Sequence, residues 1–276
     1  MDVKIIYGTA WYKGRTTELV VSAVLNGLRA IDTACQPKHY REDLVGDALQ
    51  ILYDKHGFTR ADLFLQTKHV FTPVDGQDRT QALPYDPTLP VDQQIGQSFA
   101  RSLSHLRTDF LDAYILHSPL RTYAQTLAAW RVFCALQDAG RVRAIGISNV
   151  YDVRVLNALV RDGGRRVDVV QDRWYEGNGW DADVVGWCRA NGAQYQSVWT
   201  LTGSPSLVGH AAVARVGRAV GCTPAQVVYR LAQELGVTPL SGTTSEEHMR
   251  EDVAVEGITL TRAQVAELRL AMGSVC

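Results

Sequence analysis

The feature that most constrains this chain is an alternation. Eight short apolar runs are each followed by a longer stretch with apolar residues at helical spacing. The runs are Ile5–Trp11, Leu28–Asp32, Phe64–Lys68, Leu111–His117, Arg143–Ser148, Val167–Gln171, Ala193–Val198 and Val237–Ser241. Between them, stretches such as Val91–Leu106, with Ile95, Phe99, Leu103 and Leu106, read as amphipathic helices. Thr223 and Pro224 supply the N-cap and first position of another. Strands separated by helices in this way form parallel βαβ units. At 276 residues, a single-domain (β/α)8 TIM barrel over 1–276 is the economical fold. One stretch breaks the rhythm. Residues 71–90, rich in Pro, Gly, Asp and Gln without periodicity, are expected to form a loop inserted over the active site.

The formal net charge is -1, which argues against a broadly basic nucleic-acid binder. The first residues lack the apolar core of a signal peptide, and no apolar run approaches the ~20 residues of a membrane helix. The five cysteines, Cys35, Cys134, Cys188, Cys222 and Cys276, are scattered and form no Cys-x-x-Cys pair. Free thiols in a reducing cytoplasm are therefore expected, with no disulfide framework and no metal site, and Cys35 reads as a bystander.

The ends of the strands carry the chemistry. Ala30-Ile31-Asp32 ends in a carboxylate, Phe64–Lys68 in an ammonium and Leu111–His117 in an imidazole, and Tyr40 follows just beyond Asp32. In a barrel of this kind the loops after the strands build the active site. Taken singly, Asp32 could cap its loop, Lys68 could make a structural pair and His117 could be a core histidine. Together, at successive strand ends, they point to one site.

Asp32-Thr33-Ala34 with Tyr40, Thr67-Lys68, Leu116-His117-Ser118-Pro119 and Gly146-Ile147-Ser148-Asn149 resemble the aldo-keto reductase superfamily, and the match runs from the first strand to the last helix. The 71–90 insertion and Tyr195–Thr202 are more like a fungal-type branch. The resemblance implies a cytoplasmic NAD(P)H-dependent oxidoreductase that reduces an aldehyde or ketone. Tyr40 would be the general acid, with Asp32 holding Lys68 charged beside it and His117 orienting the carbonyl. A protonated lysine beside a phenol should lower its pKa from about 10. Asp32 and Tyr40 stand further apart than in better-known members, Glu42 or Asp43 takes the place of the acid that follows, and Tyr12 is the spare phenol.

By the same resemblance, Ser148, Asn149 and Gln171 would hold the nicotinamide carboxamide. Gly8, Thr9, Ala10, Val198, Trp199, Thr200, Leu201, Thr202, Ser241, Gly242, Thr243, His248, Glu251 and Asp252 would complete the nucleotide site. Leu240 and His248 stand where the family has its lysine and arginine, which weakens the site for a 2′-phosphate. NADPH is the family default and NADH an alternative. Trp11, Tyr12, His69, Phe71 and Trp174, with Trp199, are candidates for a pocket that takes a small-molecule carbonyl substrate. A monomer without nucleic-acid or membrane partners is expected. Two other readings keep the same residues: a redox-neutral dehydratase, lyase or cyclase, or a non-catalytic regulatory barrel.

Overall fold

The computed structural model describes residues 3–71 and 82–275. Residues 72–81 of the expected 71–90 loop therefore fall outside the described residues. Eight parallel strands close into a barrel in sequence order. They are β1 Ile6–Gly8, β2 Ala30–Asp32, β3 Phe64–His69, β4 Leu111–Leu116, β5 Val142–Ser148, β6 Val169–Arg173, β7 Gln194–Val198 and β8 Val237–Ser241. Around them run α1 Thr16–Leu25, α2 Glu42–His56, α3 Val91–Leu106, α4 Tyr123–Asp138, α5 Val153–Gly163 and α6 Ala182–Asn191. Next come α7 Pro205–Val208, α8 Ala211–Val220, α9 Pro224–Glu234, α10 Glu246–Ala254 and α11 Arg262–Ser274.

The helices begin and end where local chemistry dictates. A capping box between Thr223 and Gln226, with Pro224 in the first turn, starts α9. Gly57 at φ 71° ends α2 in the left-handed conformation that glycine adopts without steric cost. The amphipathic face of α3 buries Ile95, Phe99, Leu103 and Leu106. Gly46 has a different task. A Cβ there would fall on the His105 carbonyl oxygen, so only glycine lets α2 lie this close to the end of α3.

Strand alternation sorts the side chains between two cores. Outward residues such as Ile31, Leu65, Tyr114, Ile147 and Val170 pack under the helices in one large apolar layer. Inside, the barrel floor is apolar: Val3, Ile6 and Ala30 pack with Phe64 and Leu240, and Ala113, Ile115 and Val169 lie beside Phe64 and Ala144. Above that floor the interior turns polar, and this change of character places the site at the carboxyl ends of the strands. Among the described residues, no helix is long and apolar enough to cross a membrane.

Candidate active site

Asp32 is the anchor. Its register partner on β3 is Gln66, so Lys68, two residues on, emerges one layer higher on the same face. The Lys68 Nζ donates to Asp32 Oδ2 at 2.5 Å and to the Thr33 carbonyl at 3.0 Å, and both charged side chains are buried. The other carboxylate oxygen accepts from Gln66 Nε2 at 2.6 Å and Gln171 Nε2 at 3.0 Å. Gln196 closes the network: its Oε1 accepts from both amides and its Nε2 donates to Gln66 Oε1 at 3.0 Å. A buried carboxylate with an ammonium and two amide donors has its acceptor capacity used, which makes the pair tolerable away from water.

The β2–α2 loop carries Tyr40 back over this pair. The Lys68 ammonium lies 5.1 Å from the Tyr40 ring centre, and the ring meets His117 edge-on at 6.3 Å between centres. Burial raises the Tyr40 pKa, Lys68 opposes it by charge and by hydrogen bond, and Asp32 adds to it. The expected lowering is therefore outweighed by desolvation. The phenol stays protonated at neutral pH, as a proton donor requires. Burial, then Lys68 and the nearby His39, His69 and Arg173, hold the His117 pKa well below the imidazole range, so the ring is neutral. Its buried Nδ1 has no partner among the described residues.

A second group stands at the mouth beside them. Asn149, at φ 54°, donates to the His117 carbonyl at 2.8 Å and to Ser148 Oγ at 3.3 Å. Ser148 Oγ donates to the Gln171 carbonyl at 2.5 Å. Gln171 itself points into the barrel, its amide committed to Asp32 and Gln196. Arg173 holds the mouth instead. Its Nη1 donates to Asn149 Oδ1 at 3.3 Å, and its guanidinium lies 4.6 Å from the ring centre of Trp199, which is 51% exposed. Val198 ends β7 next to it, and Thr200 is buried with its hydroxyl 2.6 Å from Ser197 Oγ.

The β8 end forms a third group. Tyr7 and Tyr12 stack at 5.8 Å, and their hydroxyls donate to the Thr243 carbonyl at 2.9 Å and 3.4 Å. Tyr12 is thus tied to the β8–α10 loop, away from the Lys68 pair. Thr243 Oγ1 lies 3.5 Å from His248 Nδ1, and Ser245 caps α10. Glu246 and Glu247 occupy the first turn of α10, with Glu251 and Asp252 further along. Leu240 packs on the barrel floor and offers no charge here.

Ser241 Oγ donates to the buried Asp252 at 2.5 Å. Burial pushes the Asp252 carboxyl up to about 6, with Ser241 and His248 opposing. A carboxyl raised in the fold favours the native state when protonated, so this contribution is present below about pH 4 and lost as pH rises to about 6. Asp252→Asn is expected to raise stability above pH 6 by on the order of 1 kcal/mol, discounted for partial solvation. Thermal melts of both proteins at several pH values should show a gap that opens between pH 4 and 6. A gap that is constant with pH would mean the carboxyl is not raised.

Other expected site residues are dispersed. Gly8 ends β1, Thr9 donates to the Asp32 carbonyl at 3.0 Å, and Ala10 leads to Trp11. Trp11 is 64% exposed and lies against His39 at 3.9 Å on the rim. Leu201 is packed at the edge of the outer apolar layer and Thr202 is exposed, just before Gly203. Trp174 is buried against Trp180 in the outer layer. His69 points away from Lys68 and packs on Phe71 and Tyr85 at 4.1 Å and 5.1 Å. The structure does not bring Trp174, His69 and Phe71 to the Lys68 face.

Gln66, Gln196 and Arg173 belong to the site without having been expected there. Parity could have found them: Gln66 lies two residues before Lys68 and Arg173 two after Gln171. The strand containing Gln171 also runs to Arg173, beyond its expected end.

Residues 4–209 match the model of the aldo/keto reductase family. Glyoxal reductase of Bacillus subtilis is 26% identical over 253 residues, covering 91% of this chain and 82% of its own. The 2,5-diketo-D-gluconic acid reductase B of a Corynebacterium species is 27% identical over 248 residues, covering 89% and 80%. Among solved structures, an aldo-keto reductase of the silkworm Bombyx mori superposes with a TM-score of 0.82 at 23% identity, over 97% of this chain and 83% of that one. An aldo/keto reductase from Brucella melitensis gives 0.80 at 22%, over 97% and 94%. With a family match over most of its length and a closed barrel of the same architecture, the chain belongs to the aldo/keto reductase family of NAD(P)H-dependent reductases.

Proposed function

We propose that this protein reduces an aldehyde or ketone to its alcohol, with Tyr40 as the proton donor. The observation that carries the proposal is the juxtaposition at the barrel mouth of a buried Asp32–Lys68 pair, the Tyr40 phenol and the neutral His117 ring.

The residues fit a nicotinamide nucleotide at one end. Ser148 and Asn149 offer a hydroxyl and an amide at the mouth, held by Gln171, His117 and Arg173. When bound, the nicotinamide supplies hydride to the carbonyl carbon. His117, neutral, hydrogen-bonds the carbonyl oxygen and fixes its direction. Tyr40 gives its proton to that oxygen as negative charge develops there, and Lys68 stabilises the phenolate left behind. Asp32 pairs with the Lys68 ammonium and aims it. The glutamine network keeps Asp32 from turning, so Gln171 is assigned to the catalytic pair rather than to the carboxamide. Arg173 is a positioning residue that holds Asn149.

The adenosine end favours NADH. Glu246 and Glu247 open α10, the arginine of that helix, Arg250, is turned to Asn26 and Glu246, and carboxylates repel a 2′-phosphate while accepting from a 2′-hydroxyl. A solved structure of the same fold, at 21% identity, was crystallised with NADPH.

Calorimetric titration of nucleotide-free protein with NADH and NADPH tests both points, followed by turnover of a panel of aldehydes and dicarbonyls. NADH is expected to bind at least as tightly as NADPH and to be oxidised with a carbonyl present. NADPH binding more than about tenfold tighter, or 1.4 kcal/mol, would remove the NADH preference. Failure of folded protein to bind either nucleotide would remove the reductase.

A further inference from the structure

Outside the barrel, beside the Tyr40 loop, three side chains of different chemistry converge. The Cys35 sulfur, a Glu42 carboxylate oxygen and a His105 ring nitrogen all lie within 4.8 Å of one another. Cys35 comes from the β2–α2 loop, Glu42 from the first turn of α2 and His105 from the last turn of α3. The close approach at Gly46 draws the second helix and the third together. We propose that Cys35, Glu42 and His105 form a binding site for a divalent transition metal of the zinc class.

The donor set is the first support. Thiolate, imidazole and carboxylate are the ligands zinc takes, and three of them leave a fourth position for water. His105 Nδ1 already lies 3.1 Å from Glu42 Oε2. Two ligands on one tetrahedral zinc, with bonds of about 2.0–2.3 Å, stand on the order of 3.5 Å apart. The other spacings, within 4.8 Å, would close to that value with a shift on the order of 1 Å.

The surroundings are the second support. Glu42 is buried, and the Thr67 hydroxyl donates to its Oε1 at 2.5 Å, which leaves Oε2 as the atom facing the imidazole. Such an outer hydrogen bond is what orients a ligating carboxylate. Ser98 and Ser102 on α3 are fully buried beside Cys35, whose thiol is pushed up by burial and by the Glu42 carboxylate, with the two hydroxyls opposing.

Access is the third support. A cavity of about 550 Å³ is lined by Cys35, Glu42 and His105, together with Tyr40 and Arg101. An ion entering from it meets the open side of the cluster, and the thiol proton leaves to solvent by the same path as the S–H bond gives way to a metal–sulfur bond. Cys35 and Glu42 flank Tyr40 in sequence, so a bound ion would pin both ends of the loop that carries the proposed proton donor.

Cobalt and zinc test the site directly on the whole protein. Addition of Co2+ to reduced, nucleotide-free protein is expected to give near-ultraviolet absorption from a thiolate-to-cobalt transition, absent in Cys35→Ser. Zinc is expected to bind at one per chain by calorimetry with proton release. His105→Ala, which alters a partly exposed side chain, should weaken zinc at least about tenfold, or 1.4 kcal/mol. No sulfur-to-cobalt absorption in the unaltered protein, or its persistence in Cys35→Ser, would overturn the proposal. So would equal zinc affinity in the unaltered protein, Cys35→Ser and His105→Ala, which would assign the ion to other groups. None of these readouts depends on carbonyl reduction, so failure here is separable from failure of the reductase.

Discussion

Tyr40→Phe is expected to lower kcat for carbonyl reduction by about 10²–10⁴, the range a positioned general acid commonly contributes. The reason is local. The phenol, the proposed proton donor, is set between the Lys68 ammonium and the His117 ring, and the change removes one oxygen while keeping the ring. Nucleotide affinity, measured by calorimetry, should stay within about twofold, because Ser148, Asn149 and the β8 end are untouched. The pH profile adds a second check. Burial raises the Tyr40 pKa against the pull of Lys68, so the donor form persists through neutral pH and the reductive rate should fall only on the alkaline side. His117 contributes no limb near its ordinary pKa, because burial and neighbouring cations already hold it neutral. A variant that keeps most of its kcat would place the proton source elsewhere.

Asp32→Ala has the largest expected effect on the fold. It removes the acceptor of three donors at once: the Lys68 ammonium, Gln66 Nε2 and Gln171 Nε2. An uncompensated buried ammonium costs roughly 3–5 kcal/mol, and the stranded amides add to it. Chemical denaturation should show that loss, with activity lost as well. Lys68→Met in the Asp32→Leu background removes both charges and should recover much of the stability without recovering turnover. Recovery of neither, or single variants as stable as the parent, would show that the pair does not carry the energetics assigned to it.

The reductase pattern lies mainly in residues whose signals are local. Asp32, Lys68 and His117 end apolar runs, and strand parity places all three on the inner face of a barrel. The ends of α2, α3 and α9 follow from Gly57, the left-handed Arg107 and the Thr223 capping box. Residues near the mouth were harder to place. Trp174, His69 and Phe71 are aromatic and sit near strand ends, yet side-chain parity turns the first two outward, and all three are buried in aromatic contacts. Gln171 was legible as a site residue, but its partner was not. Only closure of the barrel sets it beside Gln66, Gln196 and Asp32, residues up to 139 positions apart in the chain.

Hydrophobic period, turn residues and strand-end chemistry act over a few residues, so the sequence by itself determined the barrel and the order of Asp, Tyr, Lys and His around it. The balance of forces on each group came only with the tertiary structure. Desolvation outweighs Lys68 at Tyr40, because burial is a property of everything packed around the phenol. Cys35 reads as a bystander until α3 brings His105 against Glu42, 63 residues away. Contacts of that kind depend on how closely two helices pack, and here that distance rests on the missing Cβ of Gly46.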